Sequence, residues 1–396
     1  MSEALSPQRA ESYILDLGVA DLATELCRAN TAVGLAKIHW AQRELGREPD
    51  ALFLGGPDMT VTRNLPRWES GFAYGGVVDW GGGEEPLVVL EVKPNVCGML
   101  VAGLADPPTA EVLDERLANL RRDPGEVDGL PLEFDLDRSN HFVNLYRLLP
   151  GAPAGQGGPQ HGSILHGAAP ELRDDNRYGW GLYWDRSPAL RRAARRFDTP
   201  WGPLHVLAGA SAETYFTAHR QAAEFAAQRR LVQARRLFGD LTVLANDLHQ
   251  GLTLASRMYL GCHPVSDPGA PLPFTVRPGE VAYLLRGAGR VDLARATWAE
   301  RARSLGLAER VEEIRLLPHG AGYAVAGPGE VTREPGADRT HVWLSRAGVR
   351  TDSPREMVTG YRGEEVLTRA LELGLGEIAA RLEFVTQIVA PEPGQV

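Results

Sequence analysis

Apolar and polar positions alternate along the chain in patterns that predict both helices and strands. Apolar residues recur about every 3.6 positions over residues 22–45 and 212–238, which is the spacing of one buried helix face. Short apolar or alternating runs predict strands at 86–92, 137–149, 281–285 and 384–389. Runs rich in glycine and proline predict loops at 151–159 and 266–278.

The order of these elements predicts an α+β fold, because helices and strands are mixed along the chain. No internal repeat and no clear linker divides the sequence. We therefore expect one large domain over residues 1–396, with an N-terminal helical region at about 1–50 and a catalytic core at about 51–390.

The composition is that of a globular protein, since 43% of the 396 residues are hydrophobic and 23% are charged. No window approaches 18 uninterrupted apolar residues, and the N-terminus lacks the apolar stretch of a secretory signal. Three cysteines, Cys27, Cys97 and Cys262, are too few for a disulfide framework. These features predict a cytoplasmic protein that has no membrane partner.

The charge and the lysine content of the chain argue against some kinds of nucleotide chemistry. The formal net charge of −9 argues weakly against nucleic acid as a partner, although local patches can outweigh it. Lys37 and Lys93 are the two lysines, and neither stands in the K-x-D-G setting of ligases that carry a nucleotide on lysine. No G-K-[ST] phosphate loop is present. Chemistry on a lysine or a P-loop is therefore disfavoured.

One cysteine and several histidines stand at predicted strand ends or before glycines, where side chains can converge. They are Cys97, His141, His166, His249 and His319. Thiolate and imidazole groups bind soft or borderline transition metals. Because no CxxC or HExxH signature is present, the residues alone leave open whether they form a metal site or are ordinary core and surface histidines.

Taken in order, motifs from about residue 55 to residue 389 resemble those of the RtcB-type RNA ligases. The matching segments are Pro57-Asp58, Gly75-Gly76-Val77, Cys97-Gly98, Asn140-His141-Phe142, Leu165-His166, Tyr215 to Arg229, His249, Pro278-Gly279 and His319-Gly320-Ala321-Gly322. Their shared order, with H-G-A-G near the end, makes the chain similar to a divergent member of that family.

The resemblance implies an RtcB-like domain in which mixed β-sheets surround a central metal and nucleotide cleft, with flanking helices. It also implies that one or two Mn²⁺ ions are held by Cys97, His141, His166 and His249, with the Cys97 thiolate bridging a pair. His319 would be the catalytic nucleophile. The implied nucleotide-binding residues are Asn140, His319, Gly320, Ala321 and Gly322.

The activity that the resemblance implies is RNA ligation in RNA repair or tRNA splicing. His319 would take a guanylyl group from GTP and pass it to an RNA 3′-phosphate, including one opened from a 2′,3′-cyclic phosphate. The 5′-hydroxyl of a second RNA end would then displace GMP. The implied cofactors are manganese and GTP, and the implied partners are RNA ends and an archease-type activator protein.

Several residues differ from the family pattern and keep other hypotheses open. Pro94 replaces an aspartate ligand, for which Glu91 or Asn95 could substitute, and Asn144 replaces the glutamate that follows N-H-F. Further differences are at Thr60, Ala168, Ala169, Glu280, Tyr323 and Ala390. They favour a diverged relative that is a single-metal hydrolase, uses another nucleotide, or binds RNA ends. An unrelated α/β enzyme is the remaining alternative.

Arginines supply candidate phosphate-binding surface. One group is on the predicted helix at positions 220, 229, 230, 235 and 236, and another is Arg191, Arg192, Arg195 and Arg196. Arg173 or Arg177 could replace the arginine that the family carries after the His166 motif. A solvated helix face is the simpler interpretation of the first group.

Overall fold

The computed structural model describes residues 5–83, 85–149, 159–288, 291–292, 296–335, 340–346 and 349–390. Most of the predicted loop at 151–159 lies outside these ranges. The helices within them are α1 (Pro7–Glu11), α2 (Leu22–Glu44), α3 (Leu65–Glu69), α4 (Ala110–Arg122), α5 (Pro188–Ala193), α6 (Ala210–Phe238), α7 (Ala299–Ser304), α8 (Ala308–Glu313) and α9 (Glu365–Glu372). No helix of the described ranges has the length and apolar character needed to cross a membrane.

The strands of the first half of the chain are β1 (Ile14–Asp16), β2 (Leu52–Thr60), β3 (Tyr74–Asp79), β4 (Leu87–Val89), β5 (Gly98–Leu104), β6 (Glu126–Val127), β7 (Leu130–Pro131), β8 (Phe142–Leu148), β9 (His161–Gly167), β10 (Arg195–Thr199) and β11 (Gly202–Ala208). Those of the second half are β12 (Thr242–Leu248), β13 (Gln250–Leu254), β14 (Arg257–Leu260), β15 (Cys262–Pro264), β16 (Pro271–Thr275), β17 (Ala282–Gly287), β18 (Leu316–Pro318), β19 (Tyr323–Val325), β20 (Glu330–Pro335), β21 (Thr340–Arg346), β22 (Val349–Thr351), β23 (Thr359–Tyr361) and β24 (Gly376–Val389).

Two larger sheets organise these strands. One has seven strands in the order β12-β5-β9-β8-β24-β17-β16, and the other has five in the order β1-β2-β3-β14-β13. Neighbours are antiparallel in both sheets except β1 and β2, which are parallel. Helices pack on largely antiparallel sheets, so the predicted α+β class is confirmed.

Strand β5 of the seven-stranded sheet is buried on both faces. Its alternate residues Leu100 and Ala102 join a cluster with α4 and α6, whereas Met99 and Val101 join a cluster on the opposite face. Both faces of β5 are therefore covered by other residues, and Cys97, which immediately precedes the strand, lies inside the protein.

The two long predicted helices are confirmed as α2 and α6, with ends within two residues of the expected positions. Helix α2 begins at an N-cap, where Asp21 accepts a hydrogen bond of 2.9 Å from the Thr24 backbone N–H. Farther along it, Gly34 lies against a backbone turn, because a Cβ atom there would be 2.1 Å from the Gly71 carbonyl oxygen.

The predicted loop at 266–278 is wrong, because β16 lies within it and pairs with β17. Its prolines, Pro271 and Pro273, lack backbone donors and so indicate a loop when the sequence is considered alone. In the structure β16 is the last strand of its sheet, and an edge strand tolerates proline.

The strand predicted at 86–92 is shorter than expected and ends at Val89 in β4. The carbonyl groups of Val92 and Lys93 accept hydrogen bonds of 3.0 Å from the buried Arg67 guanidinium. Both Lys93 and Val96 also have positive φ angles, 47° and 52°. The backbone here turns away from sheet geometry and leads into Cys97.

Candidate metal centre and adjoining cleft

Three neighbouring strands of the seven-stranded sheet bring one cysteine and two histidines to the same edge. Cys97 immediately precedes β5, His141 immediately precedes β8, and His166 is near the end of β9. Strand β9 lies between the other two and runs antiparallel to both, with His166 opposite Met99 on one side and Phe142 on the other. The starts of β5 and β8 therefore meet the end of β9.

The side-chain atoms of these residues are close enough to share one ion. The Cys97 Sγ atom lies 3.1 Å from His166 Nε2 and 3.6 Å from His141 Nε2. All three residues are buried, and their ligand atoms lie within 4.8 Å of one another. A tetrahedral ion with zinc-like bond lengths separates sulfur and nitrogen ligands by about 3.6 Å. This buried group can hold a metal ion.

Hydrogen bonds behind the two imidazoles fix which nitrogen faces the sulfur. An Asp135 carboxylate oxygen lies 3.0 Å from His141 Nδ1 as an ion-pair partner. The hydrogen-bond acceptors are two backbone carbonyl oxygens: that of Asn140, 3.0 Å from His166 Nδ1, and that of Asp135, 3.0 Å from His141 Nδ1. Because both oxygens can only accept, each Nδ1 carries the proton and donates it. The Nε2 atoms are left to face Cys97, which is how histidine ligands are usually held in metal sites.

His249, the fourth predicted ligand, lies beside this close set rather than within it. It connects β12 to β13, and its backbone N–H donates to the Cys97 carbonyl oxygen over 2.9 Å. Its Nε2 atom is 3.2 Å from His166 Nε2, and its Nδ1 has no hydrogen-bond partner among the described residues. Two nitrogens on a tetrahedral ion are separated by about 3.3 Å, so His249 is placed to act as a further ligand.

Charge is distributed unevenly over the group. Burial works to raise the pKa of the Cys97 thiol, but the three surrounding imidazoles together lower it well below its usual value. Burial works against charge on His141 as well, yet Asp135 and the Cys97 sulfur raise its pKa to about 10. Burial lowers the pKa of His166 and His249. These shifts favour a thiolate at Cys97 and a proton on His141, and a metal ion would compete with that proton.

His319, the predicted nucleophile, is held at the other side of His249. It follows β18, and its ring centre lies 4.5 Å from that of His249. The Asp58 carboxylate, on β2, accepts from the His319 backbone N–H over 3.1 Å and from the ring Nδ1 over 3.0 Å. With Nδ1 protonated and donating, Nε2 keeps the lone pair that a nucleophile needs.

The glycines after His319 are required by close backbone packing. Gly322 has a φ of 69°, and a Cβ there would lie 3.0 Å from the Asp58 carbonyl oxygen. A Cβ at Gly320 would lie 3.1 Å from the Thr275 carbonyl oxygen. The small residues therefore allow the loop to pass closely between β2 and β16, whether or not a ligand is bound.

A cleft of about 700 Å³, a volume that includes space open to solvent, adjoins the centre. Its lining includes every residue that the sequence predicted for nucleotide binding: Asn140, His319, Gly320, Ala321 and Gly322. His166 also lines it, so the cleft and the metal-binding group share a wall.

Among the described residues, no carboxylate takes the place of the aspartate that Pro94 replaces. Glu91 is engaged elsewhere, because its carboxylate lies 2.7 Å from both the backbone nitrogen and Nδ1 of His205. The Asn95 side chain instead accepts a 3.0 Å hydrogen bond from the Cys97 backbone N–H. The close set of ligand atoms found among the described residues contains sulfur and nitrogen but no oxygen.

Two of the arginines predicted to form a phosphate surface are not on the surface. Arg229 and Arg230 of α6 are 0% and 1% exposed. Arg229 pairs with Asp135 at 2.7 Å and Glu171 at 2.9 Å, and Arg230 donates to Asn246 at 2.8 Å. The predicted phosphate-binding surface is therefore wrong at these two positions. The prediction requires every arginine of the helix to lie on its polar face, whereas these two lie on the buried face.

The two arginines that could replace the family's arginine after the His166 motif lie outside the cleft. Arg173 and Arg177 lie over the rings of Tyr183 and Tyr178 and are not part of the cleft lining. Sequence reasoning missed Arg277, which is exposed and does line the cleft. It follows β16, in the segment that was predicted to be a loop.

Sequence reasoning also missed the residues that hold the histidines. Asp135 supports His141, and Asp58 was noted only as part of a motif, without its contact to His319. The buried His263 also lies near the group, since its ring centre is 5.7 Å from that of His249.

No protein-family model matches this chain, and no curated protein matches it.

Proposed function

We propose that the chain is a metal-dependent nucleotidyl transferase of the RtcB type, which joins RNA 3′-phosphate or 2′,3′-cyclic phosphate ends to 5′-hydroxyl ends. One observation carries the proposal: His319, with Nδ1 bound to Asp58, lines the same cleft as His166 of the metal-binding group. A candidate nucleophile, a candidate metal site and a cleft therefore adjoin one another. The sequence resemblance and this juxtaposition support the same chemistry.

The donor set suits one ion better than two. Cys97, His141 and His166 would hold it, with His249 completing the set. A bound divalent ion would neutralise phosphate charge and polarise the phosphorus that is attacked. Manganese prefers oxygen ligands, whereas thiolate with imidazole is typical of zinc, so the two-manganese centre does not fit these residues.

The residues of the chain account for the transfer itself. The His319 Nε2 lone pair forms a bond to the nucleotide α-phosphorus as the bond to the pyrophosphate oxygen breaks and pyrophosphate leaves. The imidazolium charge that develops is stabilised by the Asp58 carboxylate, which lies 3.0 Å from Nδ1. An RNA 3′-phosphate oxygen then attacks the same phosphorus and releases His319. Finally a 5′-hydroxyl oxygen attacks the 3′-phosphorus, loses its proton and displaces the nucleoside monophosphate.

The proposal is tested by incubating the purified chain with zinc or manganese and each α-labelled nucleoside triphosphate, followed by a denaturing gel. We expect an acid-labile labelled adduct that His319→Ala abolishes. His161→Ala is the matched control, because His161 is at the opposite end of β9 from His166 and lies outside the cleft. An adduct that persists in His319→Ala would disprove the nucleophile assignment.

Absence of an adduct with every nucleotide would replace this function with the second candidate, a diverged protein that binds or hydrolyses RNA ends. Pro94 and the single-ion donor set favour that candidate. It predicts retention of labelled RNA 3′-phosphate ends on a filter without nucleotide, and loss of that retention in Cys97→Ala.

A further inference from the structure

The wall of the cleft farther along strand β8 carries two amide side chains that face each other across a strand pair. Asn144 of β8 is opposite Gln387 of β24 in the antiparallel register, and both residues line the cleft. Asn144 is 3% exposed, so its polar atoms depend on partners inside the protein. Residues on opposed positions of neighbouring strands have side chains within reach of one ligand.

Each amide has one polar atom without a partner. Asn144 donates to the Tyr146 hydroxyl over 3.1 Å, but its buried Oδ1 accepts no hydrogen bond from the described part of the chain. The buried Gln387 Nε2 likewise donates to no described residue. A buried unpaired polar atom costs about 1–3 kcal/mol, so the two atoms indicate a missing ligand that supplies one donor and one acceptor.

The rest of the lining fits a flat aromatic ligand. Tyr323 and Tyr361 both line the cleft, and their ring centres are 4.9 Å apart. Phe142, two residues before Asn144 on the same face of β8, lines it as well. Aromatic side chains of this kind bind nucleobases by stacking. The cleft therefore combines a stacking surface with a neutral donor and acceptor.

We infer that the amide pair selects an adenine nucleotide over a guanine nucleotide. Adenine presents an amino donor next to a ring-nitrogen acceptor, which is the edge that asparagine and glutamine bind best. Guanine carries two adjacent donors, N1–H and the 2-amino group, which an ionised carboxylate binds together. The amide pair could bind guanine O6 and N1–H but would leave the 2-amino group without an acceptor. None of the described residues that line the cleft is acidic. This inference rests on the proposed nucleotide-binding function of the cleft.

The test is equilibrium dialysis of the full chain against labelled AMP and labelled GMP, which bind without forming an adduct. We expect AMP to bind about tenfold or more tightly than GMP. Gln387→Leu and Asn144→Leu should each weaken AMP binding by about tenfold and leave GMP binding unchanged. Asn144→Glu should reverse the preference.

Glu383→Gln is the matched control, since Glu383 and its partner Arg147 are opposed on the same two strands but lie outside the cleft. It should bind AMP as the unmodified chain does. If burial of a charge prevents Asn144→Glu from folding, the AMP-to-GMP ratio of the unmodified chain and the Gln387→Leu result still decide the matter.

Equal or tighter binding of GMP would overturn the inference, as would AMP binding that neither leucine variant weakens. Failure of both nucleotides to bind would overturn it too. The adduct experiment tests the proposed transferase function separately from this base preference. An AMP preference without any adduct would leave the base selection standing and remove the transferase, whereas an adduct formed with GTP alone would do the opposite.

Discussion

Asp135→Asn tests whether the carboxylate behind His141 stabilises the site. Asp135 is buried, lies 3.0 Å from His141 Nδ1 and lies 2.7 Å from the Arg229 guanidinium. Breaking a buried charge pair costs about 3–5 kcal/mol. Because Arg229 keeps its second partner, Glu171, at 2.9 Å, we expect the lower end of that range, about 3 kcal/mol.

Urea unfolding followed by tryptophan fluorescence measures this loss. The control is Asp137→Asn, two residues along the same loop, where the partner Arg121 is 3.7 Å away at the surface. An exposed pair of this kind contributes no more than about 1 kcal/mol. Loss of the carboxylate charge beside a histidine ligand also predicts a 10- to 100-fold weaker metal affinity, measured by competition with a chromophoric chelator. A free energy of unfolding equal to that of the control would refute the reasoning.

Three further predictions concern the metal ligand, a buried histidine and a close helix contact. Cys97→Ala should lower the metal bound per chain at least tenfold by elemental analysis; unchanged metal content would remove Cys97 as a ligand. Burial lowers the pKa of His39 to about 4, so between pH 6.5 and 4 the unfolded chain takes up a proton that the folded chain does not. Stability should fall by about 3 kcal/mol more in the unmodified chain than in His39→Leu as pH drops through that window, and equal losses in urea unfolding would contradict it. Gly34→Ala should destabilise by at least 1–3 kcal/mol, because its Cβ would overlap the Gly71 carbonyl, whereas Gly82→Ala, in open space, should be neutral within about 0.5 kcal/mol by the same measurement.

The long helices could be predicted from the sequence because their signals are local. Helix α6 buries one regularly spaced face, and the Asp21 cap of α2 is encoded next to the first turn. Helix α2 itself is buried on all sides from residue 29 to residue 39. Strand β16 could not be predicted, because its prolines are acceptable only at a sheet edge, and edge position depends on the whole sheet. The early end of β4 depends on Arg67, which is distant in the sequence.

The candidate site, like the fold, has parts that the sequence predicts and parts that depend on the whole structure. Cys97, His141 and His166 could be proposed because each stands at the end of an apolar strand. Their convergence depends on β9 lying between β5 and β8, an order that no local pattern states. Asp58 and Asp135, which contact His319 and His141, could not be identified from the sequence. A buried carboxylate and a surface carboxylate look alike in a sequence. Their roles come from contacts made after the chain has folded.

Local charge explains how an acidic chain can hold an anionic ligand. The formal charge of −9 describes the whole chain, whereas a ligand in a narrow cleft responds to the groups around it. One thiolate with neutral imidazoles would leave a divalent ion with a net positive charge, and Arg277 adds another at the cleft. The losses at Pro94 and Asn144 each remove a carboxylate that the resembled family carries. Only Asn144 lines the cleft, so its change makes the described cleft wall less negative, whereas the change at Pro94 removes a carboxylate from the segment before Cys97. We expect both changes to favour a triphosphate, and the change at Asn144 to replace charge recognition of the base with neutral hydrogen bonding.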